Sequence, residues 1–242
     1  MGSSAPIDLK SAGLCKVASA PPSNEHLGVL VDESDAYSYS VSRATNVVQM
    51  TSTESMHNIL ARQDKLAWTR AQRYATALSI TSSHQQLYPT PWHDGYWKTT
   101  SVLFPVCISS HGQRTLVEHP YIQVAFTDAI EVDKANANRK LASLGVVLLE
   151  LCFGQPLSNH PLWTQPQYAH LKDDAMIRHA VACQWSEDVK SEAGLDYAQA
   201  VHWCLHAPSI TEGDLWRKAF ARNVLLPLQR CYETIVPPDT SS

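Results

Sequence analysis

Glycine is scarce in this 242-residue chain, nine in all, and none stands in a Gly-x-Gly-x-x-Gly or Gly-x-x-x-x-Gly-Lys-Ser/Thr loop. Such loops bring backbone N–H groups against phosphates, so the familiar nucleotide folds leave no signature here. There is no Gly-x-Ser-x-Gly elbow either, which removes the α/β-hydrolase nucleophile. No sign of charge dominates: a net charge of −4 and a pI near 6.2 give no footprint for nucleic acid or an anionic membrane, and neither is expected as a partner. No basic segment followed by an apolar one opens the chain, so no secretory signal is expected. Gly2 does not make a myristoylation site, because Pro6 stands where that motif requires Ser or Thr. The six cysteines, Cys15, Cys107, Cys152, Cys183, Cys204 and Cys231, never form a Cys-x-x-Cys pair. Most lie in apolar helical patterns, where a free cysteine acts as a small buried hydrophobe. This usage predicts a reducing, cytoplasmic setting.

With 44% hydrophobic and 17% charged residues, the composition is that of a globular domain able to bury one sizeable core. The chain is organised around Leu141-Ala-Ser-Leu-Gly-Val-Val-Leu-Leu-Glu-Leu-Cys-Phe153, closed by Gly154 and followed by Pro156. From Leu144 to Phe153 only Gly145 and Glu150 interrupt the apolar run, so a helix here must be buried on every side. It is too short for a bilayer: thirteen residues rise roughly 20 Å, whereas a span takes about 20 residues.

Residues 1–25, rich in Ser, Ala and Pro, read as a flexible leader, 26–236 as the folded domain and 237–242 as a flexible tail. Val29–Val31 and Tyr37–Val41 flank an acidic turn and predict a β-hairpin; Val47-Val48 extends to a third short strand. Ser55 to Arg62 suits a short helix, and Thr69 with Gln72 has the spacing of a capping box. The helix it opens runs to Tyr88 with Ala71, Tyr74, Ala75, Leu78 and Ser82 on one face, before Pro89 and Pro91 stop it. Val102 to Ile108 reads as strand, with further short strands at Leu116-Val117 and Tyr121 to Phe126. Beyond the central helix, Asp173-Asp174 opens a helix to Trp185. A short exposed helix, Ser186 to Ala193, is stopped by Gly194, and Asp196 starts another to Leu205. A last helix, capped by Thr211 and Asp214, carries Leu215, Trp216, Ala219, Phe220 and Val224 on its inner face and should kink at Pro227. The fold class is α+β, mainly α.

Ser143-Leu-Gly-Val-Val-Leu-Leu-Glu-Leu, then Gly154 and Pro156, resembles the central helix of the protein kinase large lobe. A helix ending at Leu87-Tyr88, the apolar Val102-Leu-Phe104 and the late Ala198-Gln-Ala-Val-His-Trp-Cys-Leu205 stand in the matching order. Thr90-Pro-Trp92 with Trp97, His119-Pro-Tyr-Ile122 and Ser143-Leu-Gly145 look more closely like an uncharacterised kinase-related domain of filamentous fungal proteins, often found behind a helical cell-death-type domain. The resemblance covers about residues 28 to 235. It implies a degenerate kinase large lobe with a short β remnant of the small lobe, and a non-catalytic interaction or regulatory module in signalling, self-recognition or cell death, with a protein partner.

The chemistry of a kinase is not legible. In the register that the resemblance implies, the His-Arg-Asp triplet falls at Asp94-Gly95-Tyr96, which makes the base position aromatic. No Asp-Phe-Gly follows; there is only Phe126-Thr-Asp128. Where kinases carry an Asp three residues before the Ser of the central helix, this chain has Lys140. No catalytic, cofactor-binding or metal residue is therefore assigned, and no cofactor is expected. The alternative is an atypical nucleotide-binding protein or phosphotransferase using Asp94, Lys98 or Asp128. His202 and His206 stand one turn apart with Cys204 between them, a pattern that could share a metal but is met more often as surface histidines. Cys107 and His111 have the residue types of a thiol nucleophile and its base without a group to orient the His. Trp92 and Trp97 bracket a loop in the place of a kinase active site, where aromatics either anchor a partner or pin the loop to the core. Pinning is the favoured reading, and Trp163 in the proline-rich loop falls under the same alternative.

Overall fold

The computed structural model describes residues 8, 17, 26–31, 38–42, 50–62, 68–87, 96–108, 114–116, 120–122, 135–166, 174–206 and 214–236. The chain divides into two compact units, Met1–Gln49 and Met50–Ser242. In the first, β1 (His26–Val31) and β2 (Ser38–Ser42) pair antiparallel with Val29 opposite Ser40 and Leu30 opposite Tyr39. This is the hairpin that the alternating pattern predicts. Asp8 adds an isolated parallel bridge to Val29; the rest of the expected leader, apart from Val17, lies outside the described residues, as do Val47-Val48 and the tail.

The second unit opens with β3 (Met50–Ser55) and α1 (Met56–Ala61), whose N-cap Ser55 accepts from the Asn58 N–H at 3.2 Å. The capping box before α2 (Arg70–Leu87) is present: Gln72 N–H donates to Thr69 Oγ1 at 3.2 Å, and Thr69 N–H donates to Gln72 Oε1 at 3.1 Å. β4 (Val102–Ile108) matches its predicted bounds and pairs antiparallel with β3 along its length. It also pairs with β5 (Arg114–Leu116) at one end and β6 (Tyr121–Ile122) at the other. Pro105 has no N–H to give a ladder, and it falls between the stretches of β4 that β5 and β6 pair.

The central helix, α3 (Ala135–Phe153), begins six residues before Leu141. Every residue from Leu144 to Cys152 is buried, as the run predicts. Gly154 closes it at φ +67°, and Gln155 N–H reaches back to the Glu150 carbonyl at 3.2 Å, the left-handed helix stop for which glycine lacks the steric penalty. The proline-bearing loop winds into two 3₁₀ turns, Leu157–Asn159 and Pro161–Thr164. Then come α4 (Asp174–Trp185), a 3₁₀ turn at Ser186–Asp188 and α5 (Val189–His206). α5 is broken at exposed Gly194 (φ +84°), so two helical segments meet there, as expected. The first segment is mostly exposed, as expected, with Glu187, Asp188, Lys190 and Ser191 on the surface and Val189 alone fully buried.

α6 (Asp214–Phe220) passes through a π-helical turn, Ala221–Leu225, into α7 (Leu226–Ile235). Pro227 lies in the first turn of α7, so the widened turn comes just where proline cannot donate. Asn223 Nδ2 donates to the Ala219 carbonyl at 2.8 Å beside it. The inner face holds Trp216, Phe220 and Val224, but Leu215 is 70% exposed; periodicity alone put it one position too far round. The structure is mainly helical with a small sheet, and among the described residues the hydrophobic core cluster lies in the second unit.

Candidate functional site

The end of the tryptophan loop is held where α2 and α3 pack together. Trp97 is 2% exposed. Its indole Nε1–H donates to His84 Nδ1 at 2.9 Å, and its backbone N–H donates to Ser143 Oγ at 2.8 Å. Ser143 in turn donates to the Lys140 carbonyl at 2.6 Å. His84 is fully buried and meets the rings of Trp97, Trp216 and Phe220 with centroids 6.1, 5.8 and 5.4 Å away. Tyr96 stands at the edge of this cluster with Lys140 Nζ 5.9 Å from its ring centroid, within the range of a cation–π contact. Lys98 is exposed.

His84 was not singled out by the sequence. The buried residues of α2 are Tyr74, Thr76, Ala77, Ile80, Thr81 and His84, so the face predicted from Ala71, Tyr74, Ala75, Leu78 and Ser82 is rotated. Polar residues are tolerated inside when bonded. Thr81 Oγ1 donates to the Ala77 carbonyl at 2.8 Å, and His84 takes the indole proton.

Just past Trp97 the loop reaches a buried carboxyl. The Thr99 carbonyl accepts from the His57 N–H at 3.0 Å, and its side chain lies beside Glu150, which is 2% exposed. Glu150 Oε1 accepts from the Leu157 N–H at 2.9 Å, while Oε2 has no hydrogen-bond partner of good geometry. Burial raises the Glu150 pKa above its usual 4.5, against the Leu157 bond, Arg178, Thr99 and His57, which lower it. Arg73 closes the far end of α3. It donates through Nε to the Leu151 carbonyl at 2.8 Å and through Nη1 to the Trp68 carbonyl at 2.9 Å, so a cation meets the negative end of the helix.

Asp94, Trp92, Asp128 and His111 lie outside the described residues. Cys107 is buried in β4, and Trp163 is partly buried against the core. His202 and His206 are exposed and stacked, with ring centroids 4.4 Å apart, whereas Cys204 is fully buried. Burial pushes the Cys204 thiol well up. The five described cysteines, all but Cys15, are free. Among the described residues no three His, Cys, Asp or Glu side chains surround a point that could hold a metal ion, and no helix is long and apolar enough to cross a membrane.

A family model described as Domain of unknown function (DUF7580) matches residues 7–226, most of the chain. The chain belongs to this family. The match takes in all the elements from β1 through α6, and so the Trp97 cluster and Glu150 are parts of the DUF7580 domain. No curated protein and no solved structure matches the chain.

Proposed function

We propose that this protein is a non-catalytic interaction or regulatory module built on a degenerate kinase-large-lobe-like scaffold. It acts in the cytoplasm of a filamentous fungus in signalling, self-recognition or cell death, through a protein partner. The burial of Trp97 between Ser143 and His84 carries the non-catalytic part of the reading. In the kinase-like register this loop would present catalytic groups to solvent and substrate; at Trp97 the backbone N–H and the indole are instead committed to the core. Ser143 Oγ binds the loop from a helix that has Lys140 in the place of an anchoring Asp. The order of α2, β4, α3 and α5 along the chain agrees with the same scaffold. The pathway and the fungal setting rest on the sequence resemblance alone.

Thermal unfolding of the full chain with and without millimolar ATP and Mg²⁺ tests this reading. A ligand at about 100 times its dissociation constant adds about 2.7 kcal/mol, and each kcal/mol moves the midpoint of a chain this size by roughly 2–4 °C. The expected result is no shift at any concentration. A shift of several degrees that disappears in Asp94→Ala or Asp128→Ala overturns the proposal in favour of a nucleotide-dependent protein.

A further inference from the structure

The proline-bearing loop after α3 is fastened at two points, and at each a titratable side chain holds a backbone N–H. The first 3₁₀ turn, Leu157–Asn159, is held by Glu150 Oε1, which accepts from the Leu157 N–H at 2.9 Å. The second, Pro161–Thr164, is held by its N-cap His160, whose Nδ1 accepts from the Leu162 N–H at 3.3 Å. The His160 ring also meets Trp185 at the end of α4, with centroids 4.8 Å apart, and Trp185 is itself 2% exposed and stacked on Phe153 of α3 at 4.5 Å. Leu162 and Trp163 pack partly buried against the core. His160 therefore ties the turn to α4 through both its Nδ1 and its ring.

The two fastenings answer acid differently. A protonated carboxyl keeps an oxygen that accepts, so the Leu157 bond survives. An imidazole that accepts at Nδ1 carries its proton on Nε2; a second proton makes donors of both nitrogens, and no rotation of the ring restores an acceptor. The Leu162 N–H then faces a donor. Among the described residues Asp188, on the 3₁₀ turn after α4, is the charged side chain that acts on His160, and it favours the proton; burial of the ring is the larger effect and holds its basicity below the ordinary 6.5. The first 3₁₀ turn brings no ionisable group, and α4 meets the ring with the neutral indole of Trp185. An indole attracts an imidazolium, but that attraction supplies no acceptor for the bared N–H.

We propose that His160 is a proton-operated latch on the Pro161–Thr164 turn: neutral, it caps the turn and seats it on α4; protonated, it releases the Leu162 N–H and with it the turn. The released segment carries Leu162 and Trp163, so acidification bares an apolar and aromatic surface that neutral conditions keep against the core. The folded ring binds a proton less readily than the unfolded one. Its contribution to stability is therefore present above 6.5 and is lost as pH falls through the depressed folded value. The proposal stands apart from the regulatory reading above, since it uses none of the residues of the Trp97 cluster.

The test is a ¹H–¹⁵N NMR titration of the full chain from about pH 7.5 to about pH 4.5, with hydrogen exchange of the Leu162 amide measured at each end. The expected result is one step shared by the His160 ring, the Leu162 amide and the Trp163 and Trp185 indole N–H signals, with a midpoint below 6.5. Leu162 protection, corrected for the intrinsic pH dependence of exchange, should fall about fivefold across the step, the size of a lost N-cap. His160→Asn supplies an oxygen that reaches the N–H two residues on and has no titrating proton, so protection should persist and the step should vanish. His160→Ala has no cap to offer and should leave the amide weakly protected at both ends. Leu162 protection that stays constant while His160 titrates overturns the proposal, as does a ring that remains neutral to the acid end. So does a step that persists in His160→Asn, because the proton would then act elsewhere.

Discussion

Glu150 interrupts an otherwise apolar helix, and its carboxyl is sealed from water with one oxygen bonded and the other without a good partner. Burial of such a group disfavours its charged form. Its folded pKa is raised above 4.5, so between the unfolded and folded values the native state binds more protons than the unfolded chain. Its contribution therefore falls as pH rises through that window. Glu150→Gln keeps an oxygen for the Leu157 N–H and removes the titration. In urea unfolding, the variant should gain on the wild type as pH rises from 4.5 through the raised folded value; identical pH profiles would mean that the fold does not raise the Glu150 pKa. Arg73 makes a second residue-scale case. Replacing it with Met keeps the stem but leaves the Leu151 and Trp68 carbonyls without their charged donor, and a lost hydrogen bond of that kind costs about 1–3 kcal/mol. Equilibrium denaturation reads this directly, and an unchanged midpoint would show that water replaces the guanidinium freely.

Close approach of helices explains the one glycine inside the central helix. A Cβ at Gly145 would stand 2.8 Å from Leu205 Cδ2, 2.9 Å from Leu205 Cγ and 3.2 Å from Cys204 Cβ, so α3 and α5 meet at van der Waals distance only because that side chain is missing. Gly145→Leu should destabilise the protein by about 1–3 kcal/mol through overpacking. The damage should shrink when Leu205→Ala is added, giving a coupling of about 0.5–3 kcal/mol in a double-mutant cycle. Strict additivity of the two changes would place the strain elsewhere. At this scale the sequence was legible where a signal is local. The Thr69–Gln72 box, the bounds of β4, the Gly154 stop and the all-round burial of α3 follow from spacing and composition. The first turn of α3, Ala-Asn-Ala-Asn, has no apolar period to reveal it. The inner face of α2 was misread because Thr81 and His84 bury polar groups whose partners are tertiary or back along the helix. Leu215 was misread because its exposure depends on what packs beside the helix.

The whole molecule divides at Gln49, and its parts differ in what can sustain them. Trp97 and Ser143 carried a signal in the sequence, yet their meeting with each other and with His84 could not be read from it, since contacts between residues 46 and 13 positions apart have no local pattern. Among the described residues the buried core, from Met56 to Leu228, lies in Met50–Ser242. The described part of the first unit is a two-stranded hairpin with one added bridge, and such a hairpin is marginal alone. The fragment 50–242 should therefore fold by itself, with a cooperative thermal transition. A midpoint within roughly 2–8 °C of the full chain's, equivalent to about 1–2 kcal/mol, is the expected result, whereas loss of part of the core would abolish the transition. Calorimetry of the fragment beside the full chain separates the two. A broad, non-cooperative melt would mean that the first 49 residues supply a layer that the core requires.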